Sequence, residues 1–266
     1  MSGDEGPRAE DPRGILYPTR LPTFRRVPAP PGLEGLIRWF WIPRWRMAPG
    51  RTSRQELLPF PASNLVVQAE GVTLSGPSTR ASFRDLRGTG WAVGALLRPA
   101  GVVQWHPEPG ALRDAEVPFD APDLHAAVVL AMTHDGGAPS HERATSAFSR
   151  WAAGRLAAPD EAGRLANAME EVIAAGRQIT RVEHVAAQLD TSVRGIQRLA
   201  RSHVGLPPLA IIRRYRLQEA AQRLRTDPAV RIADVAADLG YADQAHLSRD
   251  FRTVLGLTPR DYRGGS

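Results

Sequence analysis

Residues 232–263 read IADVAADLGYADQAHLSRDFRTVLGLTPRDYR, and their outline repeats a stretch that begins fifty positions earlier, VEHVAAQL at Val182. In each copy the apolar residues follow the i, i+3, i+4, i+7 spacing of one buried helix face. Ser192 and Asp243 then suit the start of a second helix, because their side-chain oxygens can accept bonds from unpaired backbone N–H groups. The sequence therefore predicts two helix-turn-helix units.

The turn inside each unit needs a residue that can end the first helix. Gly240 suits this place in the second copy, because the left-handed conformation has no steric cost for glycine. Asp190 takes the same place in the first copy. Alanines at 186 and 236 allow the two helices of each unit to cross closely.

One long helix is predicted between the units, from Leu209 to Leu224. Two prolines precede it, and the Asp227-Pro228 pair follows it. A rigid connector fixes the relative position of the second helices of the two units. If both enter the major groove on one face of duplex DNA, we expect their targets to lie about one helical turn, ~34 Å, apart. A single chain can then read a long asymmetric site without dimerising.

Segment 232–263 resembles the signature segment of the AraC/XylS family of transcription regulators. The residues that carry the resemblance are Ala236, Gly240, Tyr241, Asp243, Leu247, Arg249, Phe251, Gly256, Thr258, Pro259, Tyr262 and Arg263. The first copy resembles the family through Ala186, Ser192, Arg194, Ile196, Gln197, Arg198, Leu199, Gly205 and Pro208. The resemblance covers residues 180–263 and implies an all-α domain that binds duplex DNA through two helix-turn-helix units.

Three residues depart from the family pattern. Ala200 stands where the family usually has Phe, as at Phe251 in the second copy, so we expect a less stable first unit. Gly195 lies inside a helix, where glycine costs about 1 kcal/mol relative to alanine, so that helix is expected to be fully ordered only on DNA. Ala245 replaces a longer side chain, which predicts fewer hydrogen bonds to bases or an apolar contact with a thymine methyl.

Base readout is expected from outward-facing residues of the second helix in each unit. They are Arg194, Gln197 and Arg198 in the first unit and Gln244, Ala245, His246, Ser248 and Arg249 in the second. Arg198 and Arg249 are the strongest candidates, because a guanidinium can bond both acceptors of a guanine edge. The alternatives are a phosphate contact or a salt bridge for these two arginines, a core-edge hydrogen bond for Gln197, and plain solvent exposure for His246. Phosphate contacts are predicted for Ser192, Arg201, Arg213, Arg252, Arg260 and Arg263.

The net charge of the chain lies in its C-terminal part. Residues 176–266 contain fifteen Arg and nine acidic residues, a balance of +6, whereas residues 1–175 contain nineteen of each. A basic domain of this kind is attracted to phosphate, which supplies non-specific affinity that falls steeply with salt. This attraction to phosphate does not distinguish one DNA sequence from another.

Composition limits the remaining possibilities. The 266 residues, 42% of them hydrophobic, suffice for two domains with separate cores. The chain has no Cys, which excludes disulfides and thiolate chemistry, and with it the methyl-acceptor repair proteins that share the double helix-turn-helix. No signal peptide is recognisable, and the most apolar stretch, 126–132, is too short to span a bilayer. We therefore expect a cytoplasmic protein with no membrane partner.

The N-terminal half predicts a small β-rich domain, so the expected fold class is α+β. Short apolar runs separated by Pro, Gly and Ser predict strands at 36–42, 56–60, 64–67, 72–74 and 91–97. Helical patterns follow at 123–132, 145–157 and 160–175. The predicted organisation is a disordered tail at 1–20, a β-rich sensor domain with C-terminal helices at 21–157, a linker helix at 158–178 and the DNA-binding domain at 179–266.

The β-rich region resembles, more distantly, the sensor domain found in one subgroup of AraC/XylS regulators. The resemblance rests on residues 36–41, Leu58-Pro59, residues 64–67, Gly76, Gly94 and residues 98–101. It implies a domain that binds a small molecule or a partner protein. A pocket with Trp walls and an Arg anchor would suit an anionic or aromatic ligand, with candidate residues Arg38, Trp39, Trp41, Trp91 and Arg98. The alternative is that these aromatic residues simply fill the core of a sheet.

No catalytic or metal-binding pattern is present in the sequence, so no enzyme activity and no cofactor are expected. The predicted function is sequence-specific regulation of transcription, modulated at the N-terminal domain, with operator DNA as partner and RNA polymerase as a further one. One alternative is a constitutive DNA binder whose N-terminal domain dimerises it, so both a monomer and a homodimer remain open. Another is an interaction protein that docks on polymerase or on another regulator.

Overall fold

The computed structural model describes residues 23–133, 138–176 and 178–264, and the predicted tail at 1–20 lies outside these ranges. The strands are β1 Thr23–Pro28, β2 Ile37–Arg46, β3 Thr52–Leu57, β4 Asn64–Gln68, β5 Gly71–Ser75, β6 Ser82–Arg87, β7 Thr89–Trp91, β8 Val93–Leu97 and β9 Glu116–Pro118. The helices are α1 Pro99–Trp105, α2 Pro122–Thr133, α3 Ala138–Ala153, α4 Glu161–Ala175, α5 Val182–Gln188, α6 Val193–His203, α7 Pro208–Thr226, α8 Ile232–Asp238, α9 Gln244–Leu255 and α10 Pro259–Gly264. The α+β fold class is confirmed, with a β-sheet domain followed by an all-helical domain.

Within the described residues, seven strands form one antiparallel sheet in the order β1-β2-β8-β4-β5-β9, with β7 pairing with the far end of β2. Strands β3 and β6 pair separately as a two-stranded sheet. Four of the five predicted strand segments coincide with strands of the main sheet. The fifth, predicted at 56–60, is shifted, because β3 ends at Leu57 and the residues after it leave the strand.

The main sheet buries one face against α2 and α3. Phe40 and Ile42 of β2 are fully buried on this face, and the ring of Phe40 lies 5.3 Å from that of Phe148 in α3. Each fully buried side chain of this size contributes about 1.5–3 kcal/mol through removal of apolar surface from water. Because side chains alternate along a strand, Trp39 and Trp41 point to the opposite face of the same strand.

Helix α4 corresponds to the predicted linker, and it is packed on both sides. Asp160 caps its start by accepting a hydrogen bond from Gly163 N at 2.7 Å. Asn167 accepts from the backbone N–H of Ala100 and donates to the carbonyl of Gly35, which ties the helix to the sheet domain. On its other side α4 contacts α5, α6 and α7. The predicted linker at 158–178 therefore corresponds to a helix that packs against both halves of the chain. The division of the chain into two domains at this helix stays a prediction.

Helix α3 begins earlier than the predicted segment 145–157, at Ala138, and ends at Ala153. The structure also contains elements that the sequence analysis did not predict, among them β1, β6, β9 and α1. Strand β6 exposes five of its six residues, so its composition carries no alternating hydrophobic signal.

Candidate nucleic-acid interface

The first helix-turn-helix unit consists of α5 and α6. Asp190 lies between them with a φ of 47°, the left-handed conformation that the turn requires. The Ser192 hydroxyl accepts a hydrogen bond from Gly195 N at 3.0 Å and so caps α6. Val185, Ala186 and Ile196 form its buried contact, as the repeat pattern predicted.

The second unit consists of α8 and α9 and repeats this geometry. Gly240 has a φ of 69°, and Asp243 Oδ1 accepts from His246 N at 2.6 Å to cap α9. Arg216 of α7 reaches into the unit: its Nε donates to the Leu239 carbonyl at 2.7 Å, and its guanidinium lies 4.0 Å from the Tyr241 ring. Burial raises the pKa of Tyr241 well above its usual value and lowers that of Arg216.

Helix α7 joins the units as the sequence predicted, and it takes part in two cores. Ile212 and Tyr215 in its first half belong to the cluster that holds the first unit. Leu217 and Leu224 in its second half belong to the cluster that holds the second unit. A single helix therefore sets the relative position of α6 and α9.

The predicted base-reading residues lie on the outer sides of α6 and α9. Those exposed to solvent are Arg194, Gln197, Arg198, Gln244, Ala245 and Arg249, whereas Ser248 and His246 are half-buried. The His246 ring packs edge to face on Tyr241, with centroids 5.3 Å apart. In the described ranges the guanidinium groups of Arg194, Arg198 and Arg249 form no ion pair or hydrogen bond with protein atoms. Their contacts with bases stay a prediction.

The predicted phosphate contacts divide into two groups. Arg201, Arg213, Arg252 and Arg260 are exposed. Arg263 instead donates to the carbonyls of Pro228 and Val230, at 3.1 and 2.8 Å, and fastens α10 to the loop before α8. Ser192 uses its hydroxyl to cap α6. The last two residues therefore have roles in the fold, and a phosphate contact by either one stays a prediction.

Ala200, the position where a large side chain was expected, is fully buried. It belongs to the same apolar cluster as Met169 and Ile173 of α4 and Phe60 of the sheet domain, and α4 contacts α6 directly. The first unit therefore draws its core partly from outside the helix-turn-helix.

We expect the substitution Ala200→Phe to lower the free energy of unfolding by about 1–3 kcal/mol, because a phenyl ring overpacks a core that α4 already fills. Urea unfolding of the full chain measures this change, with Ala245→Phe on the exposed side of α9 as the control that adds the same ring outside a core. An increase in stability for Ala200→Phe would show that the first unit contains unfilled space.

A cavity of about 690 Å³ lies on the outer face of the main sheet, beneath the β3–β6 pair. Trp39, Trp41 and Phe60 form apolar walls, and Asn64 accepts a hydrogen bond from Trp41 Nε1 at 2.9 Å. Arg26 of β1 stands opposite Trp41 in the strand register, and its guanidinium lies 4.8 Å from the Trp39 ring. The cavity thus combines aromatic surface with one stacked cation.

The structure brings only two of the five predicted ligand residues, Trp39 and Trp41, to this cavity. Arg38 donates to Glu170 of α4 and Tyr215 of α7, because the strand bulges between Ile37 and Trp39 and turns the side chain toward the helices. Arg98 pairs with Glu171 of α4 at 2.6 Å, and Trp91 packs against the core on the helix-covered face of the sheet. These three residues serve internal contacts instead of lining the cavity.

The sequence did not predict Arg26 as a cavity residue, nor the junction formed by Glu170 and Tyr215. Tyr215 donates to Glu170 Oε1 at 2.8 Å, and both side chains are buried. No local pattern identifies these residues, because Glu170 and Tyr215 lie 45 positions apart and Arg26 meets Trp39 only through the pairing of β1 with β2. The register that pairs Arg26 with Trp41 is the signal that could have identified the first of them.

The fold and the two exposed, capped helices define a double helix-turn-helix protein. A family model described as a helix-turn-helix domain matches residues 185–265, and the model of a domain of unknown function, DUF6597, matches residues 25–118. Residues 185–265 are therefore a helix-turn-helix domain of the AraC type, and the chain is similar to the AraC/XylS family of DNA-binding transcription regulators.

Two curated relatives agree with this assignment. An AraC-like transcription regulator of Streptomyces lividans is 37% identical over 125 residues, which cover 46% of this chain and 38% of that protein. The transcriptional activator RhaS of Klebsiella pneumoniae is 38% identical over 84 residues, which cover 31% of this chain and 30% of that protein. The chain thus spans less than two fifths of the length of either relative.

Solved structures give weaker likenesses. ToxT from Vibrio cholerae aligns with 85% of this chain and 98% of its own, at 13% identity and a TM-score of 0.47. The C-terminal domain of AraT, a response regulator from Geobacillus stearothermophilus, aligns with 40% of this chain and 89% of its own, at 21% identity and a TM-score of 0.37.

Among the residues that the structure describes, no helix combines the length and the apolar character needed to cross a bilayer. The same residues contain no group of three or more His, Asp or Glu side chains placed to hold a metal ion.

Proposed function

We propose that the protein recognises a specific duplex DNA sequence by placing α6 and α9 in two major grooves on one side of the double helix. The observation that carries this proposal is the pair of capped helices, each with an exposed arginine at a corresponding place, Arg198 and Arg249, and each fixed to the same helix, α7. Arginine is suited to this role because its fork of donors matches the two acceptors of guanine.

Arg201, Arg213, Arg252 and Arg260 supply the electrostatic part of binding in this proposal. They are exposed and lie in the part of the chain that carries the net charge of +6. Contacts of this kind position the protein on the duplex without selecting sequence. Because a transcription regulator must be in the compartment that contains its DNA, we propose that the protein is cytoplasmic. RNA polymerase is proposed as a further partner.

Selection of duplexes from a random pool by the purified full chain tests the proposed function. We expect enrichment of one sequence that the protein binds at least about 1,000-fold more tightly than random DNA, the lower end of the range for specific binders. The affinity for both kinds of DNA should fall as salt rises. Equal affinity for every duplex would contradict sequence-specific reading and would favour a docking protein whose basic surface is incidental.

A second part of the proposal concerns the cavity in the sheet domain. Its size lies within the range of small-molecule sites, and Trp39, Trp41 and Arg26 suit an aromatic carboxylate that stacks on indole and meets a cation. A bound ligand would regulate DNA reading only if it binds two arrangements of the domains unequally.

We expect 1-naphthylacetate to raise the melting temperature of the full chain, because a ligand at 100 times its Kd adds about 2.7 kcal/mol of stability. The uncharged 1-naphthylacetamide should bind more weakly, and Arg26→Gln should remove the difference between the two. Thermal unfolding with each compound is the measurement. If neither compound nor any related carboxylate shifts the melting temperature or the DNA affinity, a constitutive DNA binder is the better description.

A further inference from the structure

The sheet domain contacts the first helix-turn-helix unit through a 3-10 turn at Pro109–Leu112. This turn packs against Gly205, the left-handed residue that follows α6, with a φ of 80°. A Cβ placed on Gly205 would lie 2.4 Å from the backbone N of Gly110 and 2.6 Å from its Cα. The two backbones are therefore in direct contact, with no room for any side chain between them.

None of the described residues covers the second unit at the equivalent place. Gly256 follows α9 with a φ of 74°, and a Cβ placed on it would meet no heavy atom within 4 Å. The sheet domain does reach α9, where Ala81 N donates to the Val254 carbonyl at 2.9 Å. That contact lies near the C-terminal end of α9, away from its predicted base readers at 244–249.

The turn also faces the side of α6 that carries its predicted base readers. A cleft of about 740 Å³ separates the two. One wall of this cleft is made by Pro107, Glu108, Gly110 and Ala111, and the other by Arg194, Gln197, Arg198, Arg201 and Ser202. We propose that residues 107–112 mask α6 and hold the protein in a state that must open before the first unit can enter DNA.

Steric and electrostatic considerations support this inference, which rests on the proposed reading of DNA by α6. A recognition helix lies in a major groove about 12 Å wide, with a phosphate backbone on each side. Residues 107–111 occupy space beside the base-reading face, and the exposed Glu108 carboxylate would repel approaching phosphates. The closed arrangement therefore opposes insertion of α6 while leaving the base readers of α9 accessible.

The mask, residues 107–112, is in direct contact with residues that line the cavity of the sheet domain. Gly76, a cavity residue, lies so close to the turn that a Cβ on it would be 1.9 Å from the Leu112 carbonyl oxygen. Asp114 and Ala115, which follow the turn, also line the cavity and bond to Pro77 and Gly76 through their backbones. Occupation of the cavity can thus change the position of the mask through directly contacting backbone.

Substitutions of different size at Gly110 test the mask. A Cβ placed on Gly110 would lie 3.6 Å from the Cα and the carbonyl oxygen of Gly205, which is an ordinary van der Waals contact. Gly110→Ala should therefore leave the closed state intact, whereas Gly110→Trp should force the turn away from α6. The control is Gly154→Trp, which adds the same ring at an exposed position at the end of α3. Each full-length variant is titrated with the duplex enriched from the random pool and with random DNA.

We expect Gly110→Trp to bind the enriched duplex at least about fivefold more tightly than the wild type, the lower end of coupling between sites. Gly110→Ala and Gly154→Trp should bind as the wild type does. A Gly110→Trp protein with native circular dichroism and unchanged affinity would overturn the mask and leave the proposed function intact. If the wild type prefers no duplex, DNA reading itself fails and the mask fails with it.

A second variant decides the matter if Gly110→Trp does not fold. Glu108→Gln changes one exposed surface charge, and Glu142→Gln makes the same charge change on α3, away from the cleft. We expect Glu108→Gln to bind the enriched duplex about twofold more tightly than Glu142→Gln, a modest effect because exposed charges interact weakly. Equal affinities of these two variants would overturn the proposal.

Discussion

Replacing Phe251 by alanine is expected to lower the free energy of unfolding by about 3–5 kcal/mol and to abolish specific DNA binding. Phe251 is fully buried in the cluster that holds the second unit, and its ring lies 5.9 Å from that of Tyr262. Its removal leaves a cavity between α9, α7 and α10, which position the second recognition helix. Urea unfolding and titration with the enriched duplex measure the two effects.

Phe83→Ala is the matched control, since it removes the same ring from a side chain that is 54% exposed on β6. We expect this change to alter stability by less than about 0.5 kcal/mol, the usual range for surface substitutions. If both variants lost equal stability, the assignment of Phe251 to the core of the second unit would be wrong.

The second large effect is expected from Arg249→Ala, which should cost about 1–3 kcal/mol on the enriched duplex and relax preference at one or two base pairs. The physical reason is the loss of a bidentate contact with guanine, made by a guanidinium that is exposed and has no partner in the described part of the protein. Repeating the selection with the variant identifies the positions that lose preference.

Arg252→Ala provides the comparison for this experiment. Arg252 is exposed in the last turn of α9, where we propose a phosphate contact. Its loss should weaken binding to enriched and random DNA by similar factors and reduce the salt dependence by about one counterion. If Arg249→Ala behaved in the same way, Arg249 would be reassigned to the phosphates.

The DNA-binding half was predictable from sequence because its determinants are local. The caps at Ser192 and Asp243, the left-handed turn residues Asp190 and Gly240 and the limits of α7 all depend on neighbours within a few positions. Local hydrogen bonds and backbone preferences decide such features. Because the two units repeat, each helix predicted in one copy could be compared with the corresponding helix in the other.

The relation between the two halves was not predictable, because long-range contacts decide it. Phe60 joins the core of the first unit and Leu58 that of the second, although both follow strand β3. Gln218 donates to the Pro59 carbonyl at 2.9 Å across 159 residues of sequence. No spacing within the segment 58–60 indicates either partner.

The candidate ligand site shows the same limit. Aromatic residues in 39–41 indicated a pocket, but the choice of cation depended on strand pairing and on a bulge. Arg38 lies 5.0 Å from the Trp39 ring, yet it pairs with Glu170 and does not line the cavity, whereas Arg26 reaches the same ring from the neighbouring strand and does line it. Proximity in sequence was therefore a poor guide to which cation faces the cavity.

Methylation protection of the enriched duplex by the full chain, at saturating protein, tests most directly whether two helices read one double strand. Dimethyl sulfate reacts with guanine N7 in the major groove, where Arg198 and Arg249 are proposed to bind. We predict two protected clusters about one helical turn apart, one of which is lost in Arg198→Ala and the other in Arg249→Ala. A single protected cluster, or protection that neither substitution changes, would contradict the account.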